Sequence, residues 1–254
     1  MKIVVVSKNL LGDGLNISPA LRALVKANPH IQFDVATNDD AIKEIYSRMG
    51  VDVGVITNGW RYDGLVDFDV SEAFALGHKN GWHITKCFAE MVGVKTDENC
   101  PTFITTEEEH EKDLILISPF SKSCSSNEGL PPNKMLPWAK VGVLLDFFRS
   151  YGKVGILGAE NDRAPIEASE DEYYTGLPLN KVALMLRDCK LLFTIDNGIS
   201  HLAASQQANS VVIYPACLSP HWIAPIGNKN ALIIQCNPVT VQVASLMHQI
   251  KTRL

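Results

Sequence analysis

Apolar residues fall in short runs, separated by longer stretches in which they recur every three or four positions. Lys2-Ile-Val-Val-Val-Ser7 is a β-branched run with polar ends, the pattern of a strand buried in a parallel sheet. Gly12-Asp13-Gly14 breaks it. A helix is predicted from Leu15 to Ala27, with Leu21, Leu24 and Val25 on its apolar face and Asn28-Pro29 as its stop. A strand over Ile31–Ala36, a helix over Asp40–Met49 and a strand over Val51–Thr57 follow. A looser piece holds Trp60 and Tyr62. Ser71–Val92 reads mostly as helix, with Gly77 and Gly81 in its middle.

Residues 95–113 are polar and carry an acidic run from Glu107, the mark of a solvated linker. Then the alternation restarts. Strands are expected at Leu114–Ser118, Lys153–Leu157, Leu191–Ile195, Ser210–Tyr214 and Ala231–Gln235. Helices are expected at Pro137–Tyr151, Asn180–Asp188, from Asn197-Gly198 onward, and at Val239–Ile250. Ser121–Pro132 is a long polar loop. Two alternating halves joined by a linker imply an α/β protein of two doubly wound domains, 1–110 and 111–254, facing across a cleft.

Composition narrows the class. The chain has 254 residues, 46% hydrophobic and 20% charged, the balance of a soluble globular protein rather than a disordered or fibrous one. No apolar run approaches the roughly 20 residues of a membrane-spanning helix. Ile3–Val6 is too short for the core of a secretory signal, so a cytoplasmic location is expected. The six cysteines form no C-x-x-C pair, which argues against a zinc knuckle or a redox motif. Residues 1–110 carry 10 Lys+Arg against 16 Asp+Glu, and the remainder carry 13 against 12. Neither half has the basic excess of a dedicated nucleic-acid binder.

Candidate chemistry gathers where strands end. Asp13 follows the first strand between Gly12 and Gly14, which read as an acceptor-side loop whose bare backbone allows a tight turn and close approach of substrate. It reads either as a general base that takes a proton from a hydroxyl or as a cap of the following helix. Phe193-Thr-Ile-Asp196-Asn197-Gly198-Ile199-Ser200-His201 carries a strand into a helix N-terminus. Free N–H groups there suit a pyrophosphate. Asn197 and Ser200 add donors, and His201 reads as a phosphate donor or as a core histidine. Ser121 and Lys122, in the loop after Ser118, could cradle a phosphate. Glu160, after Gly158, could bind ribose hydroxyls. The segment Tyr214–Trp222 could line a pocket or simply pack.

These residues resemble glycosyltransferase family 9, the ADP-heptose:lipopolysaccharide heptosyltransferases. Gly12-Asp13 with Ser18-Pro19-Ala20-Leu21-Arg22-Ala23-Leu24 looks like the family's G-D and T-P-A-L-R-A-L. Asp196-Asn197-Gly198 with His201-Leu202-Ala203-Ala204 looks like its D-[ST]-G-x-x-H-L-A-A. Tyr214-Pro215 through Trp222 looks like its F-G-P-T-x-P-x-x-W. The resemblance implies a GT-B fold, with acceptor at the first domain and nucleotide-diphosphate sugar at the second. It implies inverting transfer with Asp13 as base, a glycan acceptor, and neither metal nor cofactor. The family's phosphate loop ends in Lys-x-Trp-Pro. At Glu128-Gly-Leu-Pro131 that lysine is missing, and Lys122 is the expected replacement. Two rival readings stand beside this one: a glycosyltransferase that modifies a nucleic-acid base, and a non-catalytic nucleotide-binding module.

Overall fold

The computed structural model describes residues 1–6, 10–37, 39–56, 61–96, 100–106, 112–121, 134–225 and 227–254. The first half forms a parallel sheet of β1 (Lys2–Val6), β2 (Gln32–Ala36), β3 (Gly54–Ile56) and β4 (Gly64–Asp67), in the order β3-β2-β1-β4. Its helices are α1 (Leu11–Ala27), α2 (Asp40–Ser47), α3 (Val70–Asn80) and α4 (Ile84–Met91). The second half forms a parallel sheet of β5 (Ile115–Ser118), β6 (Val154–Gly158), β7 (Tyr173–Thr175), β8 (Leu191–Ile195), β9 (Ser210–Pro215) and β10 (Ala231–Cys236). Its order is β10-β9-β8-β5-β6-β7. With it go α5 (Trp138–Arg149), α6 (Leu179–Asp188), α7 (Gly198–Ser205), α8 (Pro220–Ile223) and α9 (Val243–Ile250).

Both orders reverse direction beside the first strand of their half. Such reversal points open a crevice at the carboxyl ends of the strands, where open α/β sheets hold ligands. In the second sheet the reversal lies between β5 and β8, so Ser118 and Asp196 flank it. In the first it lies between β1 and β4, beside the start of α1.

Several elements depart from the sequence reading for local reasons. Helix α1 begins a full turn before Leu15, so Gly12-Asp13-Gly14 is helical and does not form a loop. Pro19 lies inside that helix and cannot donate to the carbonyl of Leu15. The Ser18 hydroxyl donates there instead, at 2.7 Å, and satisfies the orphaned acceptor. The Ser71–Val92 stretch is two helices, because Gly81 takes a left-handed φ of 68° at the end of α3. Strands β4 and β7 and the short α8 have no counterpart in the sequence reading. Helix α9 starts at Val243. The preceding turn is held open because Asn237 accepts from the amides of Val239 and Thr240, while the Lys140 ammonium binds the carbonyls of Val239 and Val241.

The two halves meet helix against helix, α1 on α7 and α2 on α6. One apolar cluster runs from Val5, Leu21 and Ile45 through α1 and α2 into Leu186, Leu202 and Leu116 of the second half. The far face of the second sheet packs separately on α5 and α9, through Leu144, Phe148, Leu246 and Ile250. A carboxylate also crosses the seam. Helix α6 starts after Pro178, which offers no side-chain cap. Glu44 of α2 supplies one, accepting from the amides of Leu179 and Asn180 at 3.0 Å each. Arg48, 3.1 Å away, steadies that carboxylate. The acid thereby satisfies two free helix donors and meets the positive end of the helix dipole. Glu44→Ala is expected to lower stability by about 1–2 kcal/mol, with Glu44→Gln losing less. Urea unfolding of the three proteins checks this, and equal midpoints for all three would contradict the cap.

Candidate active site

The first turns of α1 and α7 touch. A Cβ placed on Gly12 would lie 3.3 Å from Cδ2 of His201 and 3.6 Å from the Cα of Gly198. A Cβ on Gly198 would lie 2.8 Å from the side chain of Leu11. Two bare glycines therefore let two helix N-termini approach closely. Both termini carry unpaired amides and positive dipole ends, and both stand at the carboxyl ends of central strands.

Asp13 is the third residue of α1, and its Oδ2 accepts from the amide of Leu10 at 3.3 Å. The capping role expected from the sequence is therefore present. Oδ1 has no hydrogen-bond partner among the described residues, and the residue is half-buried. Burial lifts the carboxyl above the ordinary carboxylate range. The Leu10 amide and Lys134 pull it back down, and Asp196 pushes it up. A carboxyl held in that way is a better proton acceptor than a solvated one.

Asp196 follows β8 and is buried. Lys134 Nζ lies 2.7 Å from its Oδ2, an ion pair without the alignment of a directed hydrogen bond. This lysine is the residue that sequence reasoning missed. A readable signal existed, since Lys134-Met-Leu-Pro137 is the Lys-x-Trp-Pro pattern with leucine in place of tryptophan. The match to Pro131 placed the motif six residues too early. Lys122, the expected replacement, lies outside the described residues.

Asn197 caps α7, its Oδ1 accepting from Ser200 N at 3.1 Å and from the Thr194 hydroxyl at 3.2 Å. Its Nδ2 donates to Phe120 O at 2.9 Å and toward Ser118. The Ser200 hydroxyl donates to Asn197 O. These side chains, expected to serve as ligand donors, instead lock the β5 exit against the α7 N-terminus. What they leave for a ligand are the amides of Gly198 and Ile199. Ser121 sits at the end of that locked exit.

His201 is almost fully buried, and burial pushes its imidazole down to about 4. Neither ring nitrogen has a hydrogen-bond partner among the described residues. It therefore stays neutral near pH 7 and has an N–H to offer. Glu160 is exposed beyond β6, two strands from β8 along the sheet. Gly14 belongs elsewhere. A Cβ there would meet Ile42 Cδ1 at 2.7 Å, so it packs α1 on α2 and is not part of an acceptor-side loop. The Tyr214–Trp222 segment packs: Tyr214 is buried, and the Trp222 ring lies 3.8 Å from that of His78.

Buried His83 links the halves beside this cluster. Its Nε2 meets Ala224 O at 3.0 Å and its Nδ1 meets the Thr85 hydroxyl at 2.9 Å. Burial lowers its basicity too. Asp67-Phe68-Asp69 is a strand end and a helix cap, with Asp69 accepting from Ser71 and Glu72 amides. Among the described residues, no three metal-ligating side chains cluster, and no helix is long and apolar enough to cross a membrane.

No family model and no curated protein matches the chain. Solved structures do. A glycosyl transferase family 9 protein from Veillonella parvula matches with a TM-score of 0.74 at 16% identity, over 99% of this chain and 96% of that one. E. coli ADP-heptose lps heptosyltransferase II matches at 0.63 and 15%, over 100% and 98%. E. coli heptosyltransferase WaaC with ADP matches at 0.66 and 15%, over the whole of both chains. The chain shares the fold of these proteins.

The depressed His201 carries a stability consequence. The unfolded imidazole titrates near about 6.5, and the folded one only at about 4. As pH falls through that window the unfolded chain binds a proton that the folded one refuses, so stability is lost. The loss is roughly 3 kcal/mol when the window has been crossed, and His83 adds to it in the same direction. His201→Asn is expected to flatten the acid limb of stability between about pH 6.5 and 4. Urea midpoints measured across that range test this, and an unchanged slope would contradict a neutral His201.

Proposed function

We propose that the protein is an inverting glycosyltransferase that moves a sugar from a nucleotide-diphosphate sugar to an acceptor hydroxyl. The observation that carries this reading is the meeting of Asp13, on the α1 N-terminus, with Lys134, Asp196 and His201 around the α7 N-terminus. The shared fold supports it, and the heptosyltransferase solved with ADP favours a heptosyltransferase-like donor. In this reading residues 1–110 present the acceptor and 111–254 hold the donor.

The chemistry is one displacement. The acceptor hydroxyl gives its proton to Asp13 as its oxygen attacks the anomeric carbon from the face opposite the leaving group. The bond from that carbon to the diphosphate oxygen breaks, and the nucleoside diphosphate departs with the electron pair. Its growing charge is met by the Gly198 and Ile199 amides, the α7 dipole, Lys134 and the neutral N–H of His201. Preorganised donors aimed at developing charge are commonly the largest catalytic contribution. Asp196 holds the lysine in place, and Ser121 and Glu160 extend the donor side toward the nucleotide. The family resemblance places no metal in this scheme.

A thermal-shift panel of ADP-, UDP-, GDP- and CDP-sugars identifies the donor. Its ligand should add about 2.7 kcal/mol at 100 times its dissociation constant. With that donor, Asp13→Asn is expected to slow transfer by about 10²–10⁴. Donor affinity should barely change, and melting temperature should not fall, because the variant removes a buried charge while keeping the capping oxygen. Single-turnover transfer beside donor affinity tests it, and near-normal transfer by the variant would remove Asp13 as the base. Activity is also expected to survive EDTA. Loss with EDTA and recovery with magnesium or manganese would replace the metal-free scheme.

A further inference from the structure

The glycine that precedes Asp13 faces the donor half rather than solvent. A methyl group built on it would lie 3.3 Å from Cδ2 of His201 and 3.6 Å from the Cα of Gly198, and it fits only if the imidazole gives way by a few tenths of an ångström. His201 has little freedom to yield, being buried on a helix whose cap is fixed by Asn197. Helix α1 is also constrained on its opposite face, where a Cβ on Gly14 would meet Ile42 Cδ1 at 2.7 Å. Leu11 closes the contact from the other side, against Gly198.

We infer that Gly12 is a positioning residue: its bare contact with His201 and Gly198 sets the distance between the Asp13 carboxylate and the donor-half anion site. The inference rests on the proposed glycosyl transfer and adds a residue that touches neither the acceptor nor the reacting carbon. A side chain at position 12 shifts the turn that carries the base against His201, by a few tenths of an ångström for alanine and by more for valine. The donor site is built within the second half, from β8, α7, the β5 exit and Lys134, so the Gly198 and Ile199 amides and the Lys134–Asp196 pair keep their places while the His201 edge yields by a few tenths of an ångström. The base moves relative to the anomeric carbon while the donor stays bound. Misplacement of reacting groups by an ångström can cost about a hundredfold, so a shift of tenths is expected to cost about tenfold.

The test uses the full chain with Gly12→Ala and Gly12→Val. Turnover, affinity for the donor's nucleoside diphosphate, melting temperature, and the imidazole Cδ2–H resonances by NMR are measured together. Gly12→Ala is expected to lower kcat about tenfold and Gly12→Val further. Nucleotide affinity should stay within about twofold, and the melting temperature of the Ala variant should change little, the gain in helix propensity offsetting the tightened contact. The His201 Cδ2–H resonance should move in the Ala variant, with those of exposed His78 and His221 unchanged. Wild-type turnover in Gly12→Ala, an unmoved His201 resonance, or parallel loss of turnover and nucleotide affinity would each overturn the inference. The wild-type protein separates the two levels. If it transfers no sugar from any donor of the panel, the glycosyltransferase reading fails and takes this inference with it. If it does transfer, a normal Gly12→Ala removes the positioning role alone.

Discussion

The site depends on one close approach, the first turn of α1 against the first turn of α7. Two helix N-termini in contact bring two positive dipole ends together, which is unfavourable unless negative charge is present. Asp13 and Asp196 supply it, one on each side of the contact. Steric room comes from Gly12 and Gly198, since a Cβ on Gly198 would overlap Leu11 and one on Gly12 would crowd His201. The same two features that make the contact tolerable also create the chemistry: carboxylates gathered where free amides converge. Lys134 then offsets the excess of negative charge, paired with Asp196 and felt by Asp13.

Burial gives these groups different tasks. The carboxyl of Asp13 is raised because water is partly excluded around it. The imidazole of His201 is depressed for the same reason. Desolvation favours the uncharged form of each, so a single dry environment yields a more basic acid and a neutral donor. The histidine can hydrogen-bond an anion without adding a charge that would compete with Lys134.

Much of this architecture is legible in the chain. Val-rich strands and i, i+3, i+4 helices locate both sheets, and Asp196-Asn-Gly marks a strand-to-helix junction at the crevice. The failures have physical causes. Gly12 and Gly14 read as a turn between the first strand and the first helix because the low helix propensity of glycine is a local property. Tertiary contacts with His201, Gly198 and Ile42 outweigh it, and only the fold displays them. Strands β4 and β7 are short, and their extended state comes from pairing with β1 and β6 rather than from an alternating pattern. Asn197 looks like a free donor in the sequence, yet its amide is taken up by the loop after β5, contacts 77 to 79 positions away. Lys134 was visible in type and hidden in register, because two proline segments follow the same polar loop.

The apolar cluster that crosses the seam bears on how such a chain can vary. Where domains have private interiors, a recombination or a drift in one leaves the other untouched. Here Leu21 and Ile45 belong to the same packed cluster as Leu186 and Leu202. Close packing transmits a change in volume to its neighbours, so substitutions on opposite sides of the seam couple rather than add. The halves of this protein therefore share one interior. A half transplanted from a distant relative would need its partner's buried face remade along with it.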